Sequence, residues 1–245
     1  MISILRSAIA LLLVTVLTPL AALIGFPWTW IAGSADRLYA MAMWIAGLGL
    51  RLAGVRVQIA GRERLDPAQN YIFMCNHVSN LDPPVLIRAI PGRSSVLVKR
   101  ELFRIPILGT AMRMGDMVPV DRQNREAAID SMREAGEVMR NGLNMMVFPE
   151  GTRSSDGSHL PFKKGPFYLA TDYGVPIVPV TISGSEQLMA KGSSIIHSGT
   201  VHLIFHRPFW ASQFNDREEL IAGVHRQIAS ALPAALREAN ANSTP

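Results

Sequence analysis

The chain of 245 residues is 49% hydrophobic and carries a formal net charge of +5. That length is enough for one sizeable core, so one folded domain with an added membrane element accounts for the composition. A single cysteine excludes an intramolecular disulfide. The basic balance favours anionic partners such as phosphates or anionic lipid headgroups. Nucleic acid is not expected, because aromatic residues make up only 7% of the chain and no pattern interleaves them with basic residues.

The first 54 residues are predicted to form a two-helix membrane anchor. Residues 4–26 are almost wholly apolar, and the stretch is long enough to span a bilayer. Residues 27–30, with two tryptophans, are typical of a turn at the membrane interface. A second helix is expected at 35–53, and the arginines at its ends suit an anionic membrane surface. Several arrangements of these residues are compatible with the pattern. They are a hairpin embedded in the membrane or an anchor at its interface, a spanning helix, a cleaved signal peptide, and a pair of core helices.

From residue 55 onwards, short β-rich runs alternate with helical ones. Asn124 is expected to cap a helix that stops at Gly142, and a last helix is expected at about 216–238. The alternation predicts an α/β domain over 55–240, a layered domain with a central, mostly parallel sheet flanked by helices. A flexible tail is expected at 241–245. Strands are predicted at 55–59, 71–75, 96–99, 117–120, 145–148, 177–183 and 201–205.

A histidine and a carboxylate follow the predicted strand at 71–75. His77 and Asp82 stand five positions apart, and an imidazole titrates near neutral pH, so His77 is a candidate general base for a hydroxyl group. Asp82 is expected to accept a hydrogen bond from the other ring nitrogen and fix the tautomer. Asp82 followed by Pro83 is also typical of a helix N-cap, and the two roles are compatible. The cysteine, Cys75, is expected to be a buried core residue.

A second polar loop follows the predicted strand at 145–148. Gly151 permits a tight turn that brings backbone N–H groups close to an anion, and Thr152 adds a hydroxyl. Arg153 and Arg122 are the candidates for binding phosphate, because a guanidinium binds it with two hydrogen bonds and stays charged. Glu150 repels phosphate when ionised, so it is expected to orient an arginine or to accept from a hydroxyl of the substrate. Lys99 adds positive potential.

These motifs resemble those of the PlsC-type glycerolipid acyltransferases, the family of 1-acyl-sn-glycerol-3-phosphate acyltransferases. His77 and Asp82 match the family's HxxxxD pattern, and residues 150–153 match its EGTR pattern. The similarity extends through the runs at 99–102, 120–122, 162–165 and 175–180, and it therefore covers roughly residues 55–210. The block before Arg122 departs from the family pattern. Asp116 stands where the family usually has a glycine, six residues before this arginine.

The resemblance implies an activity, partners and a location. The expected reaction moves a fatty acyl group from acyl-CoA or acyl carrier protein to the sn-2 hydroxyl of lysophosphatidic acid and gives phosphatidic acid. Neither a cofactor nor a metal is expected, since His202 and His206 lie in a strand-like run with no carboxylate at ligand spacing. The location implied is a membrane surface, the bacterial inner membrane with the site facing the cytoplasm. Alternatives are another acceptor (a lysophospholipid, glycerol 3-phosphate or a lyso-aminolipid), a lipid or thioester hydrolase, and a membrane-binding protein without catalysis.

Overall fold

The structure, a computed structural model, describes residues 1–121, 124–153 and 160–233. Strands lie at all seven predicted places, and helices and strands alternate from β2 onwards. The helices are α1 (Ile2–Ala32), α2 (Asp36–Leu52), α3 (Asp82–Ala89), α4 (Leu108–Met114), α5 (Arg125–Arg140), α6 (Gly165–Tyr173), α7 (Ser185–Leu188) and α8 (Arg217–Ser230). The strands are β1 (Val55–Ala60), β2 (Ile72–Cys75), β3 (Ser94–Lys99), β4 (Val118–Val120), β5 (Asn144–Val147), β6 (Ile177–Ser183) and β7 (Gly199–Phe205).

The strands of the described residues form one seven-stranded sheet in the order β1-β7-β6-β2-β5-β3-β4. The five strands from β6 to β4 run parallel to one another. β1 and β7 are parallel to each other, and β7 is antiparallel to β6. The predicted α/β layered fold with a mostly parallel sheet is therefore confirmed.

Apolar side chains cover both faces of the sheet. In β2, Phe73 and Cys75 pack with α3 on one face, and Ile72 and Met74 pack with α5, α6 and α8 on the other. Successive side chains of a strand point to opposite faces, so a central parallel strand needs apolar residues at every position. This explains why β2 is wholly buried and reads as a continuous apolar run.

The N-terminal helices form a hairpin against the α3 side of the sheet, but their turn is not where the sequence places it. α1 continues through Pro27 to Ala32, so the predicted turn at 27–30 is wrong. The chain reverses instead at Gly33, whose φ of 64° is left-handed. Trp28 stays helical and lies under Arg37 of α2, with 3.9 Å between the guanidinium carbon and the ring centroid. The aromatic residue thus contributes to the contact between the two helices.

α1 is long and apolar enough to cross a membrane. Only 17% of its most apolar 18-residue stretch is buried within the protein. Large exposed side chains such as Leu12, Leu23 and Trp30 lie on α1, and Trp44 on α2 is exposed as well. An exposed apolar surface of this extent is typical of a site that meets a membrane or another protein.

Two further predictions meet the structure at loop and helix ends. Asn124 caps α5 as expected, because its side chain accepts from the N–H of Ala127 at 3.2 Å. The last helix ends at Ser230, so its predicted extension beyond that residue is wrong up to 233. Residues 234–238 and the predicted tail at 241–245 lie outside the described residues.

Asp116, which stands where the family usually has glycine, has a left-handed backbone conformation. Its φ is 60°, a left-handed value that aspartate tolerates better than most residues. Its carboxylate pairs with Arg93 at 2.6 Å, and its carbonyl accepts from the hydroxyl of Ser95. The turn before β4 therefore forms without glycine at this position.

Candidate active site

The two polar motifs meet at one edge of the sheet. β2, β5, β3 and β4 are parallel, so their carboxyl ends lie together, and this end is called the motif edge below. His77 follows β2 and residues 148–153 follow β5, the strand that pairs with β2. The N–H of His77 donates to Oε1 of Glu150 at 3.3 Å, which joins the two loops directly.

The predicted contact between His77 and Asp82 is present. Nδ1 of His77 lies 2.9 Å from Oδ2 of Asp82. That oxygen also accepts from the backbone N–H groups of Val78 and Ser79, both at 2.7 Å. A carboxylate oxygen with three such neighbours acts as acceptor, so Nδ1 carries the proton and Nε2 of the neutral imidazole is left as the basic atom. Nε2 makes no hydrogen bond to any residue that the structure describes.

Asp82 does not cap α3, contrary to the prediction. The residue is the first of that helix and Leu81 is the N-cap, without a side-chain capping bond. The carboxylate turns back to the loop between His77 and Ser79 because three donors lie there. Asp82 is fully buried, so those donors replace the water that would otherwise solvate the carboxylate.

Three residues that the sequence analysis did not single out complete the site. Ser185, at the start of α7, donates its hydroxyl to Oδ1 of Asp82 at 2.6 Å. The ring of Phe148 stacks on His77 with centroids 4.1 Å apart. The side-chain amide of Asn76 accepts from the N–H of Ile182 at 2.8 Å and donates to its carbonyl at 2.9 Å, which links the end of β2 to β6. Phe148 and Asn76 lie within the motifs, whereas nothing in the sequence connects Ser185 with Asp82.

Glu150 is buried between the two motifs. Burial is the largest of the influences that raise the pKa of its carboxyl group, to about 8 from an ordinary 4.5, and the nearby charge of Asp82 raises it further. The backbone N–H groups of His77 and Leu160 act in the opposite direction. At neutral pH the carboxyl group is therefore mostly protonated, which removes most of the repulsion between Glu150 and a phosphate.

The second motif has a tight turn at Gly151, whose N–H bonds within the turn, and an arginine at Arg153. Gly151 has a φ of 71°, and its N–H donates to the carbonyl of Phe148 at 3.0 Å. Nη1 of Arg153 is buried and has no hydrogen-bond partner among the described residues. A buried guanidinium nitrogen of this kind is costly unless a ligand or water satisfies it. Thr152 lies between them and is exposed.

The remaining predicted residues are less closely joined to His77. Lys99 ends β3 at the motif edge, is exposed and pairs with Glu101 at 3.3 Å. No described contact links Lys99 to His77 or to Arg153. Arg122 lies outside the described residues.

A groove of about 740 Å³ opens beside the second motif. It runs between α5 and α6 over the ends of β3, β4 and β5, and apolar side chains form much of its wall. Phe148, Pro149 and Gly151 line one end, together with Lys163 and Lys164. The residue that stacks on His77 therefore also borders the groove.

Other reactive groups are poorly placed for chemistry. Cys75 is fully buried, and burial, followed by the charges of Asp82 and Glu150, raises the pKa of its thiol well above the ordinary value. A thiol held in that state is a poor nucleophile. His206 is occupied by Thr181 and Gln227, and the described residues contain no cluster of three or more potential metal ligands.

Comparison with known proteins identifies the family of the chain and several relatives. A family model described as Acyltransferase matches residues 56–183. A chloroplastic 1-acyl-sn-glycerol-3-phosphate acyltransferase from Brassica napus is 37% identical over 161 residues, which are 64% of this chain and 46% of that protein. The human 1-acyl-sn-glycerol-3-phosphate acyltransferase alpha is 36% identical over 149 residues, which are 60% of this chain and 53% of that protein. The chain thus spans about half the length of these two relatives.

A solved structure is similar over nearly the whole chain. It is the crystal structure of the 1-acyl-sn-glycerophosphate (LPA) acyltransferase, PlsC, from Thermotoga maritima. The match has a TM-score of 0.68 and 29% sequence identity, and it covers 91% of this chain and 94% of that one. The uncovered part of this chain is shorter than the N-terminal helices, so the similarity includes at least part of them as well as the sheet.

Proposed function

The chain belongs to the acyltransferase family, and from that premise we propose that it is a membrane-bound 1-acylglycerol-3-phosphate O-acyltransferase. It transfers a fatty acyl group from acyl-CoA or acyl carrier protein to the sn-2 hydroxyl of lysophosphatidic acid, and the product is phosphatidic acid. The contact between the two motifs carries the proposal. His77 bonds both Asp82, through its ring, and Glu150 of the second motif, through its N–H.

The reaction follows from the state of His77. Nε2 takes the proton of the acceptor hydroxyl while its oxygen attacks the thioester carbonyl, and Asp82 stabilises the imidazolium that forms. When the tetrahedral intermediate collapses, the carbon–sulfur bond breaks and the thiolate takes the proton from the imidazolium. Such a base contributes roughly 10²- to 10⁴-fold in rate. The thiol is a good leaving group, so the reaction needs neither a covalent enzyme intermediate nor a cofactor.

The phosphate of the acceptor is held by the second motif. The unpartnered Nη1 of Arg153 supports this assignment, because a phosphate oxygen would satisfy it. Gly151 forms the turn between Glu150 and Thr152, Thr152 adds a hydroxyl donor, and the protonated Glu150 is able to donate as well. Arg122 and Lys99 supply further positive charge.

The groove between α5 and α6 holds an acyl chain in this proposal. Its volume of about 740 Å³ lies within the range of pockets that bind small ligands. Its apolar wall favours a hydrocarbon, and Lys163 at its end suits the phosphates of an acyl donor. The position of Phe148 between the groove and His77 supports delivery of a thioester to the base.

The enzyme acts at a membrane surface, where its acceptor lies. The exposed side of α1 enters the bilayer, and basic residues meet anionic lipid headgroups. We assign it to a bacterial inner membrane with the site on the cytoplasmic side. Nucleic acid is not among its partners.

The test is an assay of the purified protein with labelled acyl-CoA or acyl carrier protein and a panel of acceptors. Wild type is expected to acylate lysophosphatidic acid in preference to lysophospholipids, glycerol 3-phosphate and lyso-aminolipids. His77→Ala is expected to lose at least about 10²-fold in kcat. His202→Ala, which changes an exposed histidine of β7, is the matched control and keeps full activity. Release of free fatty acid without an acceptor would instead identify a hydrolase.

A further inference from the structure

An exposed apolar segment follows β3 at the motif edge. It comprises a 3₁₀ turn, Arg100–Arg104, and the residues up to Leu108 at the start of α4. Leu102, Ile105, Ile107 and Leu108 are each between 36% and 45% exposed. We call these nine residues, 100–108, the edge segment. Four large apolar side chains within seven positions are unusual on a surface that meets only water.

The backbone of the edge segment is strained where an isoleucine points outwards. Ile107 has φ 64° and ψ −59°, and the N–H of Leu108 donates to the carbonyl of Pro106 at 2.6 Å. These values describe a γ-turn with positive φ, a rare and strained conformation, and a β-branched residue in it is an outlier. Strain of this kind persists where the surroundings enforce it, and it marks functional sites.

The surroundings do enforce it. Phe103 is buried, and its carbonyl accepts from Arg113 of α4 at 2.9 Å. Gly109 packs against that same carbonyl so closely that a Cβ atom would lie 2.1 Å from its oxygen. The N–H of Gly109 also donates to Ile105 at 2.8 Å. The edge segment is therefore a fixed element that holds its apolar side chains outwards.

The position and charge of the edge segment indicate what covers it. α4, which continues the segment, contacts α1, the helix with the exposed apolar surface. Arg100 and Arg104 are exposed, and neither forms an ion pair with a residue in the described part of the chain. Apolar side chains flanked by arginines, next to a surface that meets lipid, are typical of contact with an anionic bilayer.

We propose that the edge segment is a second membrane contact, which inserts Leu102, Ile105, Ile107 and Leu108 into the surface of an anionic bilayer. This inference rests on the membrane association in the proposed function. Two contacts, α1 and the edge segment, would fix the orientation of the motif edge towards the headgroups. An acceptor lying in the bilayer would then reach His77 without leaving the lipid.

The test uses fluorophores attached to single engineered cysteines, which is feasible because Cys75 is fully buried. An environment-sensitive label is placed at Ile107→Cys and Leu102→Cys in the full chain. Leu23→Cys on α1 reports membrane binding itself, and Ala68→Cys, before β2 at the opposite end of the sheet, is the matched control. Each protein is mixed with vesicles of phosphatidylethanolamine and phosphatidylglycerol, with and without a lipid that carries a nitroxide near its headgroup.

At both edge-segment positions we expect a blue shift of the emission and strong quenching by the nitroxide lipid, with no change at Ala68→Cys. A response at Leu23→Cys alone would overturn the inference and leave membrane association standing. No response at any position would overturn both. In a parallel sample with acyl carrier protein instead of vesicles, a blue shift that the vesicle samples lack would identify a protein-docking surface and also overturn the inference.

Charge is tested separately. The double substitution Arg100→Gln and Arg104→Gln is expected to weaken binding to the phosphatidylglycerol vesicles by roughly fivefold for each arginine. Binding to phosphatidylcholine vesicles should stay unchanged. Arg140→Gln with Arg226→Gln, two exposed arginines of α5 and α8, is the matched control. Equal losses in the two double variants would show that only the overall charge of the protein matters, against the inference.

Discussion

Replacing Asp82 with asparagine separates the charge of this carboxylate from its shape. Oδ2 accepts from His77, Val78 and Ser79, and Oδ1 accepts from the hydroxyl of Ser185. An asparagine oxygen is able to keep the first three bonds. Its amide group then faces Ser185, whose hydroxyl can rotate and accept. The variant therefore retains the hydrogen-bonded loop and loses only the negative charge.

The magnitude follows from the distance between the two charges. With Nδ1 and Oδ2 2.9 Å apart, the centres of the imidazolium and carboxylate charges are about 4 Å apart. Two unit charges at about 4 Å attract by about 4 kcal/mol at an effective dielectric constant of about 20. Loss of that attraction in the transition state corresponds to a decrease of about 10³-fold in kcat. In the ground state the imidazole is neutral, so the substitution removes much less stabilisation from it than from the transition state.

The assay is steady-state transfer of a labelled acyl group to lysophosphatidic acid, with thermal unfolding measured in parallel. Ser185→Ala is the matched control, because it removes one donor and keeps the charge, and we expect its kcat to fall by less than about tenfold. If Asp82→Asn folds normally and retains kcat within about tenfold of wild type, the imidazolium does not depend on this carboxylate and the mechanism is wrong.

Two further predictions concern the second motif. Arg153→Gln is expected to raise the KM for lysophosphatidic acid about 10- to 100-fold, because a hydrogen bond to a charged group contributes about 1.5–3 kcal/mol; an equal loss with an acceptor that lacks the phosphate would contradict this. Glu150 holds a proton in the folded state that the unfolded chain has released between pH 4.5 and about 8. The stabilisation that this proton gives the folded state is therefore complete below about pH 4.5 and is lost as pH rises through about 8. The free energy of unfolding changes by roughly 5 kcal/mol over this range. Urea unfolding across this pH range measures the change. If the free energy of unfolding of Glu150→Gln depends on pH as steeply as that of wild type, Glu150 is not the cause.

Local patterns were sufficient for much of the fold and for the elements of the site. The strand at 72–75 is a continuous apolar run because both sheet faces are covered, and that signal lies in the sequence itself. Asn124 could be assigned as a cap because capping depends on residues three positions apart. The predicted turn at 27–30 is wrong. Pro27 and the tryptophans suggest that the helix breaks there, but packing of α1 on α2 keeps it continuous.

The sequence by itself pointed to the residues that we propose carry the chemistry, since His77, Asp82 and Arg153 follow strands whose polar ends are locally encoded. Only the tertiary structure decided how they act together. Ser185 reaches Asp82 across 103 positions of the chain, and the burial that raises the pKa of Glu150 arises from packing between two loops. Such contacts depend on strand order and on the exclusion of water, and neither is written in the spacing of neighbouring residues.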